Sequence, residues 1–429
     1  MAMLLRKVWG TVLARAASAS GAPEPAASPR RRHAPPLEYH GALSLGALDA
    51  VPTDVLAQIL RLLGPFDAAR CSAVCRAWRV LASDNGLWAF FLSLGPEPWD
   101  LVVFAETHLA ADPASHPRLY YDCTPQLSFK QIYGLRAVVP GSVIVDGGSG
   151  YCKYGWSKYA APSGRCATFL EFGNIESPMY ARLRHFFSTI YTRMQVKPSN
   201  QPIIVVLPLC HSDDTESARA SRKQYEETLY SVLFDMNVPA VCAVDQAVLA
   251  LYASKRTSGI VVHIGFNVTS VVPIFQGRVM YEIGVETVGQ GALKLTGFLK
   301  ELMQQRNITY ESLYTVRALK EVWLLNVDLA DVLWACIKQY LYVWITAIIQ
   351  KWSVMTTERL EKELHQLLPS YISEGIRVLP PAFGTDSAWF GAKMIGNVST
   401  FTEAWCLKKK QFRQKIRRHG PSFVNMNAW

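Results

Sequence analysis

The sequence predicts an α/β protein preceded by a small all-α module, on three observations. Between residues 46 and 92, apolar residues recur at helical spacing. From residue 140 onward, short apolar strands alternate with helical stretches, and glycine-rich turns follow two of the strands. The 429 residues are half hydrophobic and only 18% charged, which supplies apolar surface for two or three domains and excludes a largely disordered chain.

Residues 1–45 are basic and rich in Pro and Ala, which predicts a disordered tail. Residues 1–20 contain no Asp or Glu and are rich in Ala and Ser, so an organelle transit peptide is the alternative interpretation.

The net charge of +10 is concentrated at the two ends of the chain. Residues 404–429 carry seven Lys and Arg and no acid, and residues 1–50 carry six Lys and Arg against three acids. The intervening body is therefore neutral, which argues against a body that binds nucleic acid directly. The nine cysteines include no Cys-x-x-Cys pair, so neither a zinc site nor a disulfide framework is expected.

The all-α module is predicted at residues 46–92. An amphipathic helix ends at a Gly-Pro pair, and Ala69, Ala73 and Ala77 then predict a second helix. Several positions of this module resemble the F-box motif. They are Pro52, Leu56, Ile59, Leu60, Val74 and Trp78.

The F-box resemblance implies that these six residues contact a Skp-type adaptor of a cullin ubiquitin ligase, through an apolar helix face. The alternative is an ordinary helical subdomain that packs against the rest of the chain. Residues 93–139 form the connector to the next module and carry no motif.

Two predicted hairpins follow, and both contain glycine in the turn. The first turn, Asp146-Gly147-Gly148-Ser149-Gly150, lies between two strands, and Gly265 lies in the second. Glycines allow backbone N–H groups to approach a phosphate, and the Ser149 hydroxyl adds a donor. The Asp146 carboxylate is placed to contact a hydrated Mg²⁺. The alternative interpretation is that both are ordinary hairpin turns that bind no phosphate.

These segments occur in the order found in actins. Residues 146–156 resemble the first phosphate loop, 265–273 the second, and Arg317-x-x-Lys320-Glu321 the nucleotide-flanking helix. An F-box fused to such a body resembles the plant F-box-containing actin-related proteins, the eighth class of that series. The resemblance implies an actin-like, ribonuclease-H-like α/β fold of mixed sheets flanked by helices. It also implies a set of nucleotide-binding residues: Asp146, Gly147, Gly148, Ser149, Gly150, Lys153, Gly265, Lys320 and Glu321.

The resemblance divides the body into an N-terminal part at 140–321 and a C-terminal part at 356–429, which ends in the basic tail. Between them, residues 322–355 form an apolar bridge without glycine, much shorter than the capping subdomain of the family. A buried helix is favoured over a membrane span, because charged residues interrupt the run. We expect that this bridge arose from an alternative transcript or an incorrect gene model.

Two departures from actin affect catalysis. His263 stands where the family has a metal-binding Asp, and Ser270 where it has a His that places the attacking water. Gln246 is retained, but a single polar side chain does not make a hydrolytic site. Absent or weak ATPase activity is therefore expected, with Gln246 as a vestigial catalytic candidate.

The sequence thus predicts a non-catalytic F-box adaptor that brings an unidentified protein to the ligase, or acts in the nucleus. The alternative is an ATP-binding actin-related protein with nucleotide-dependent conformational change or weak ATPase activity. No cofactor is assigned, and Mg-ATP is expected to bind poorly. A nuclear or nucleolar location is expected from the basic end, with the cytoplasm as the alternative, and no membrane contact is expected.

Overall fold

The structure, a computed structural model, describes residues 44–110, 128–148, 150–168, 177–208, 216–267, 269–281, 286–288, 291–309, 312–323, 361–362, 365 and 377–419. Within these ranges, a group of helices is followed by two β-sheets with helices packed on them. This confirms the predicted α/β class with an all-α module before it. Most of the predicted tail, the bridge from residue 324 and the final segment 420–429 lie outside the described residues.

The N-terminal module contains the helices α1 (Thr53–Cys71), α2 (Arg76–Leu81) and α3 (Asn85–Ser93). The predicted break is a kink within α1, where Gly64 adopts φ 81° and ψ 170°, a conformation that glycine tolerates. The predicted second helix is wrong in one respect, because residues 72–75 interrupt it. There the Ser72 hydroxyl donates to the Ala69 carbonyl and ends α1.

Part of the connector is helical, although no sequence motif predicted helices there. It contains α4 (Trp99–His108) and α5 (Phe129–Val138). Tyr133 of α5 lies against Trp88 of α3, with ring centroids 5.3 Å apart, so α5 completes the core of the N-terminal module. Phe104 of α4 belongs instead to the core of the body.

The body supplies the remaining elements. Its helices are α6 (Met179–Met194), α7 (Glu216–Asp235), α8 (Gln246–Ala253), α9 (Ala292–Gln305), α10 (Leu313–Trp323), α11 (Ser387–Gly396), α12 (Phe401–Ala404) and α13 (Lys409–His419). Its strands are β1 (Val143–Gly147), β2 (Tyr151–Trp156), β3 (Gly164–Ala167), β4 (Ile203–Leu207), β5 (Ala240–Asp245), β6 (Gly259–Ile264), β7 (Thr269–Phe275), β8 (Arg278–Val279), β9 (Glu286–Val288) and β10 (Leu407–Lys408).

The first sheet has the strand order β10-β5-β4-β1-β2-β3, with β1, β4 and β5 parallel and the others antiparallel. Its central strands are buried on both faces. Because side chains alternate along a strand, Ile144 points into a core with α8 and α11, whereas Val143 and Val145 point into a second core with α6 and α7. The sheet therefore lies between two layers of helices.

The second sheet has the order β6-β7-β8, and β9 also pairs with β7. Beside it, α9 and α10 pack through Leu299 and Val316. The turn after β1 and the turn after β6 are the two predicted hairpin turns. The sheets bring these two turns together.

Candidate nucleotide cleft and docking face

The first hairpin joins β1 to β2 and places a carboxylate opposite an ammonium. Asp146 and Lys153 are paired across the two strands, and Lys153 Nζ lies 3.6 Å from Asp146 Oδ2. The turn is fixed by Thr168, whose hydroxyl donates to Gly148 O at 2.5 Å and whose backbone N–H donates to Gly150 O. Gly147 ends β1, and Ser149 is outside the described residues.

Lys153 has partners from the far end of the chain. Its Nζ lies 3.1 Å from Asp386 Oδ1 and donates to the Thr385 carbonyl. Arg165 on β3 contacts the other carboxylate oxygen of Asp386 at 2.5 Å. Lys153, which the actin resemblance assigns to nucleotide binding, is therefore bonded to the chain's own C-terminal part.

The second hairpin is closed by the helix that follows it. The carbonyls of Gly265 and Phe266 accept hydrogen bonds from the backbone N–H groups of Ala292 and Leu293, at the start of α9. A side chain on Gly150 would come within 2.7 Å of the Phe266 ring. The phenyl group thus lies directly against the first turn, and the two hairpins meet.

His263 lies on β6 beside this cleft and is nearly buried. Burial lowers the pKa of His263 to about 4, and the Lys153 ammonium adds to the shift. Its Nδ1 has no hydrogen-bond partner among the described residues. Burial also raises the pKa of Asp146 above its usual value, although Lys153 opposes that shift. At neutral pH, His263 is therefore an uncharged imidazole next to a cation.

The remaining candidates lie on two helices of the body. Gln246 is the first residue of α8 and is half-buried. Arg317 of α10 donates to the Tyr151 hydroxyl at 2.9 Å, which brings this helix to the first hairpin. Lys320 and Glu321 lie on α10, but their side chains are outside the described residues.

These residues do not fit a magnesium-bound nucleotide phosphate. The lysine that would contact a phosphate is committed to Asp386, and the N–H groups at the start of α9 are bonded to the hairpin. A neutral His263 is a poor substitute for the carboxylate oxygen that Mg²⁺ prefers. Among the described residues, no group of three or more His, Cys, Asp or Glu is placed to hold a metal ion.

No motif in the sequence singles out Asp386, Arg165 or Phe266. Asp386 and Lys153 are far apart in the chain, and no local pattern links them. Phe266 could have been noticed, because a bulky side chain directly after Gly265 is unexpected in a turn that should approach a phosphate.

The predicted F-box contacts differ in their burial. Leu56 and Leu60 are fully buried within the chain, so their assignment to a partner surface needs correction: they hold the helix in place. Trp78 is half-buried and packs against the core of the module. Ile59 and Val74 are exposed, and so is Pro52.

Beside those positions, the module displays large apolar side chains that the motif did not single out. Leu62 is 87% exposed and Phe66 is 75% exposed, compared with 69% for Val74 of the motif. We call Ile59, Leu62, Leu63, Phe66 and Val74 the docking face. Several large apolar side chains exposed on one small module are typical of a protein-binding surface.

The described part of the chain contains no helix that combines the length and the apolar character needed to cross a membrane.

Comparisons with known proteins agree with this architecture. The Actin family model matches residues 181–326, and the F-box-like model matches residues 48–92. The chain is 68% identical to actin-related protein 8 of Oryza sativa subsp. japonica, covering 99% of this chain and 100% of the relative. It is 49% identical to actin-related protein 8 of Arabidopsis thaliana, covering 97% and 99%.

The rice alignment runs over 487 positions, more than the 429 residues of this chain, so the rice protein has positions without a counterpart here. High identity over nearly the whole of both chains shows the family directly. This chain belongs to the plant actin-related protein 8 family, in which it combines an F-box-like module with an actin-like body.

Proposed function

We propose that this protein is a non-catalytic adaptor, whose F-box-like module docks to a Skp-type adaptor of a cullin ubiquitin ligase. The observation that carries the proposal is the docking face, where Leu62, Phe66 and Val74 expose large apolar side chains. Burial of such side chains in a partner groove is strongly favourable, at about 25 cal/mol per Å² of apolar surface. The actin-like body would then bind the protein that is brought to the ligase. The sequence does not identify that protein.

Binding of the full chain to a purified plant Skp-type adaptor tests this proposal. The triple variant Leu62→Ala, Phe66→Ala, Val74→Ala removes exposed side chains and leaves the buried Leu56 and Leu60 intact, so the module should stay folded. We expect binding to fall at least about tenfold, because three apolar anchors are lost. Val138→Ala with Tyr314→Ala is the control, since both side chains are exposed elsewhere. Equal binding by all three proteins would refute the docking face.

We also propose that the body neither hydrolyses ATP nor binds Mg-ATP tightly. The support is the bonded Lys153 and the neutral His263 described above. Isothermal calorimetry with Mg-ATP is expected to show no binding at micromolar concentrations. Phosphate release above background that disappears in Asp146→Ala would instead favour the alternative, an ATP-driven actin-related protein.

A nuclear location is a further proposal, with the cytoplasm as the alternative. The predicted basic tail is in part the helix α13, which docks through Phe412 and exposes Lys410, Arg413 and Arg417. Residues 409–419 of the basic tail are therefore helical. A fluorescent fusion should lose nuclear enrichment when these three cations become Gln. If a fusion with α13 intact stays in the cytosol, α13 is not a nuclear localisation signal.

We propose, finally, that the 322–355 bridge replaces part of the family's capping subdomain through an alternative transcript or an incorrect gene model. The longer alignment with the rice relative supports a missing internal stretch. Sequencing the messenger RNA across the codons for Glu321 and Thr357 tests it. A transcript with a longer, glycine-rich continuation is expected if this chain is a shortened version.

A further inference from the structure

Two cations of the first sheet face each other across neighbouring strands. Lys153 of β2 and Arg165 of β3 are directly paired in the strand register. Like charges in this position repel each other, and an anion between them relieves the repulsion. Asp386 supplies that anion, with Oδ1 3.1 Å from Lys153 Nζ and Oδ2 2.5 Å from Arg165 Nη2. The two strands therefore form a two-cation receptor that holds one carboxylate.

The segment that carries Asp386 is firmly held. Gly384–Asp386 form a short 3₁₀ helix directly before α11. The Ser387 hydroxyl donates to Gly384 O at 2.9 Å, and Phe383 stacks on Phe390 with ring centroids 3.9 Å apart. The Thr385 carbonyl accepts a second bond from Lys153. The backbone that carries Asp386 is thus fixed by these contacts, so its carboxylate is held in place between the two cations.

The receptor lies beside the glycine turn that the actin resemblance assigns to phosphate. Lys153 is shared between Asp386 and Asp146, and the Phe266 ring covers Gly150 of the same turn. We propose that Asp386 is an internal substitute for a nucleotide phosphate. It neutralises Lys153 and Arg165 and ties the C-terminal part of the body to the first hairpin. The body then holds its two parts together without a nucleotide.

This inference rests on the proposed non-catalytic function, and it names the side chain that occupies the place of the nucleotide phosphate. A nucleotide phosphate would have to displace Asp386 from both cations. Conversely, removal of the Asp386 charge should leave Arg165 without an anion and Lys153 with Asp146 alone, and the cleft should accept an added anion. The variant Asp386→Asn has nearly the same shape and tests this directly.

Thermal unfolding of the full chain at low ionic strength, with and without millimolar pyrophosphate, is the experiment. Without pyrophosphate, Asp386→Asn should unfold several degrees below the wild type. Pyrophosphate should raise the Tm of Asp386→Asn by about 3 °C or more, and should leave the wild type unchanged. The double variant Lys153→Met, Asp386→Asn should lose the response, and the control Glu403→Gln, at an exposed acid, should behave as the wild type.

Two outcomes would overturn the inference: a wild type that responds as strongly as Asp386→Asn, or an Asp386→Asn variant that does not respond at all. If Asp386→Asn does not fold alone, pyrophosphate should restore its far-ultraviolet circular dichroism but not that of the double variant. Failure to restore it also refutes the inference. Loss of adaptor binding by the docking-face variant is measured separately, so the two proposals can fail independently.

Discussion

Gly391 shows how a single residue determines the packing of the body. It lies on α11 where this helix crosses α8, and a side chain there would approach the Leu249 carbonyl oxygen to 1.9 Å. No rotamer relieves that contact, because the backbone of residue 391 fixes the position of Cβ and the Leu249 oxygen is itself a backbone atom. The two helices cover one face of the first sheet, so their separation affects the whole core around Trp389.

We therefore expect Gly391→Ala to destabilise the protein by about 3 kcal/mol or more, because α8 and α11 must move apart. Gly297→Ala is the matched control, since it lies within α9 with no atom near the added carbon and gains helix propensity. Urea unfolding monitored by circular dichroism measures both. Equal stability of the two variants would show that the helices can separate without cost.

Two carboxyl groups that are largely shielded from water, Glu226 and Asp245, affect how stability depends on pH. Burial raises the pKa of Glu226 to about 8, with help from the Asp245 charge, and burial raises the pKa of Asp245 to about 6. The native state keeps these protons to higher pH than the unfolded state does. Stability is therefore fullest at acid pH with respect to these groups, and is lost as the pH rises through 6 and 8.

The free energy of unfolding should thus fall between pH 5 and pH 9, and Glu226→Gln should reduce that fall by at least about 1 kcal/mol. The reason is that Gln stays neutral throughout. Denaturant titrations at pH 5, 7 and 9 provide the measurement, with the exposed Glu403→Gln as control. A fall of the same size in Glu226→Gln would contradict the assignment.

At the scale of elements, the kink of α1 determines where the docking face points. Leu62 and Leu63 precede Gly64, and Phe66 follows it, so the kink sets their relative directions. A Gly-Pro pair signals the break in the sequence, since proline disfavours a helical residue before it. The sequence did not show that the helix resumes at once, which depends on packing of Ala68 against α3.

Gly64→Ala should cost about 1–3 kcal/mol, because a residue with a Cβ is strained at φ 81° and ψ 170°. We also expect weaker adaptor binding, since relief of the strain turns one half of α1 relative to the other. Hydrogen exchange of α1 and adaptor affinity are the two readouts. Gly134→Ala, within α5 and in open space, serves as the control, and unchanged exchange in Gly64→Ala would count against the argument.

At the scale of the whole molecule, a buried ionic network joins the module to the body. Glu106 of α4 accepts from Arg136 of α5 at 2.8 Å, and also from the backbone N–H and hydroxyl of Ser399 after α11. The Asn397 amide donates to Glu97, which also pairs with Arg136. The connector is thus part of a continuous structure, and we expect the wild type to unfold in one transition.

Glu106→Gln should lower the stability of the junction by about 3 kcal/mol, because Arg136 and Ser399 lose a buried charged acceptor. Differential scanning calorimetry should then resolve the module from the body as two transitions. The exposed pair of Arg70 with Asp67 offers the control, since Asp67→Asn should cost at most about 0.5 kcal/mol. A single transition in Glu106→Gln would contradict this coupling.

The sequence by itself determined the α/β class, the two hairpins of the body and the presence of an F-box-like module before it. Those features depend on spacing, turn residues and motifs that are close together in the chain. Only the tertiary structure decided that Leu56 is buried while Leu62 is exposed, that the connector bridges two cores, and that Asp386 lies between Lys153 and Arg165. Such contacts join residues that are far apart in the chain, so the local spacing of apolar residues does not predict them. They form only when the sheet and its helices pack together.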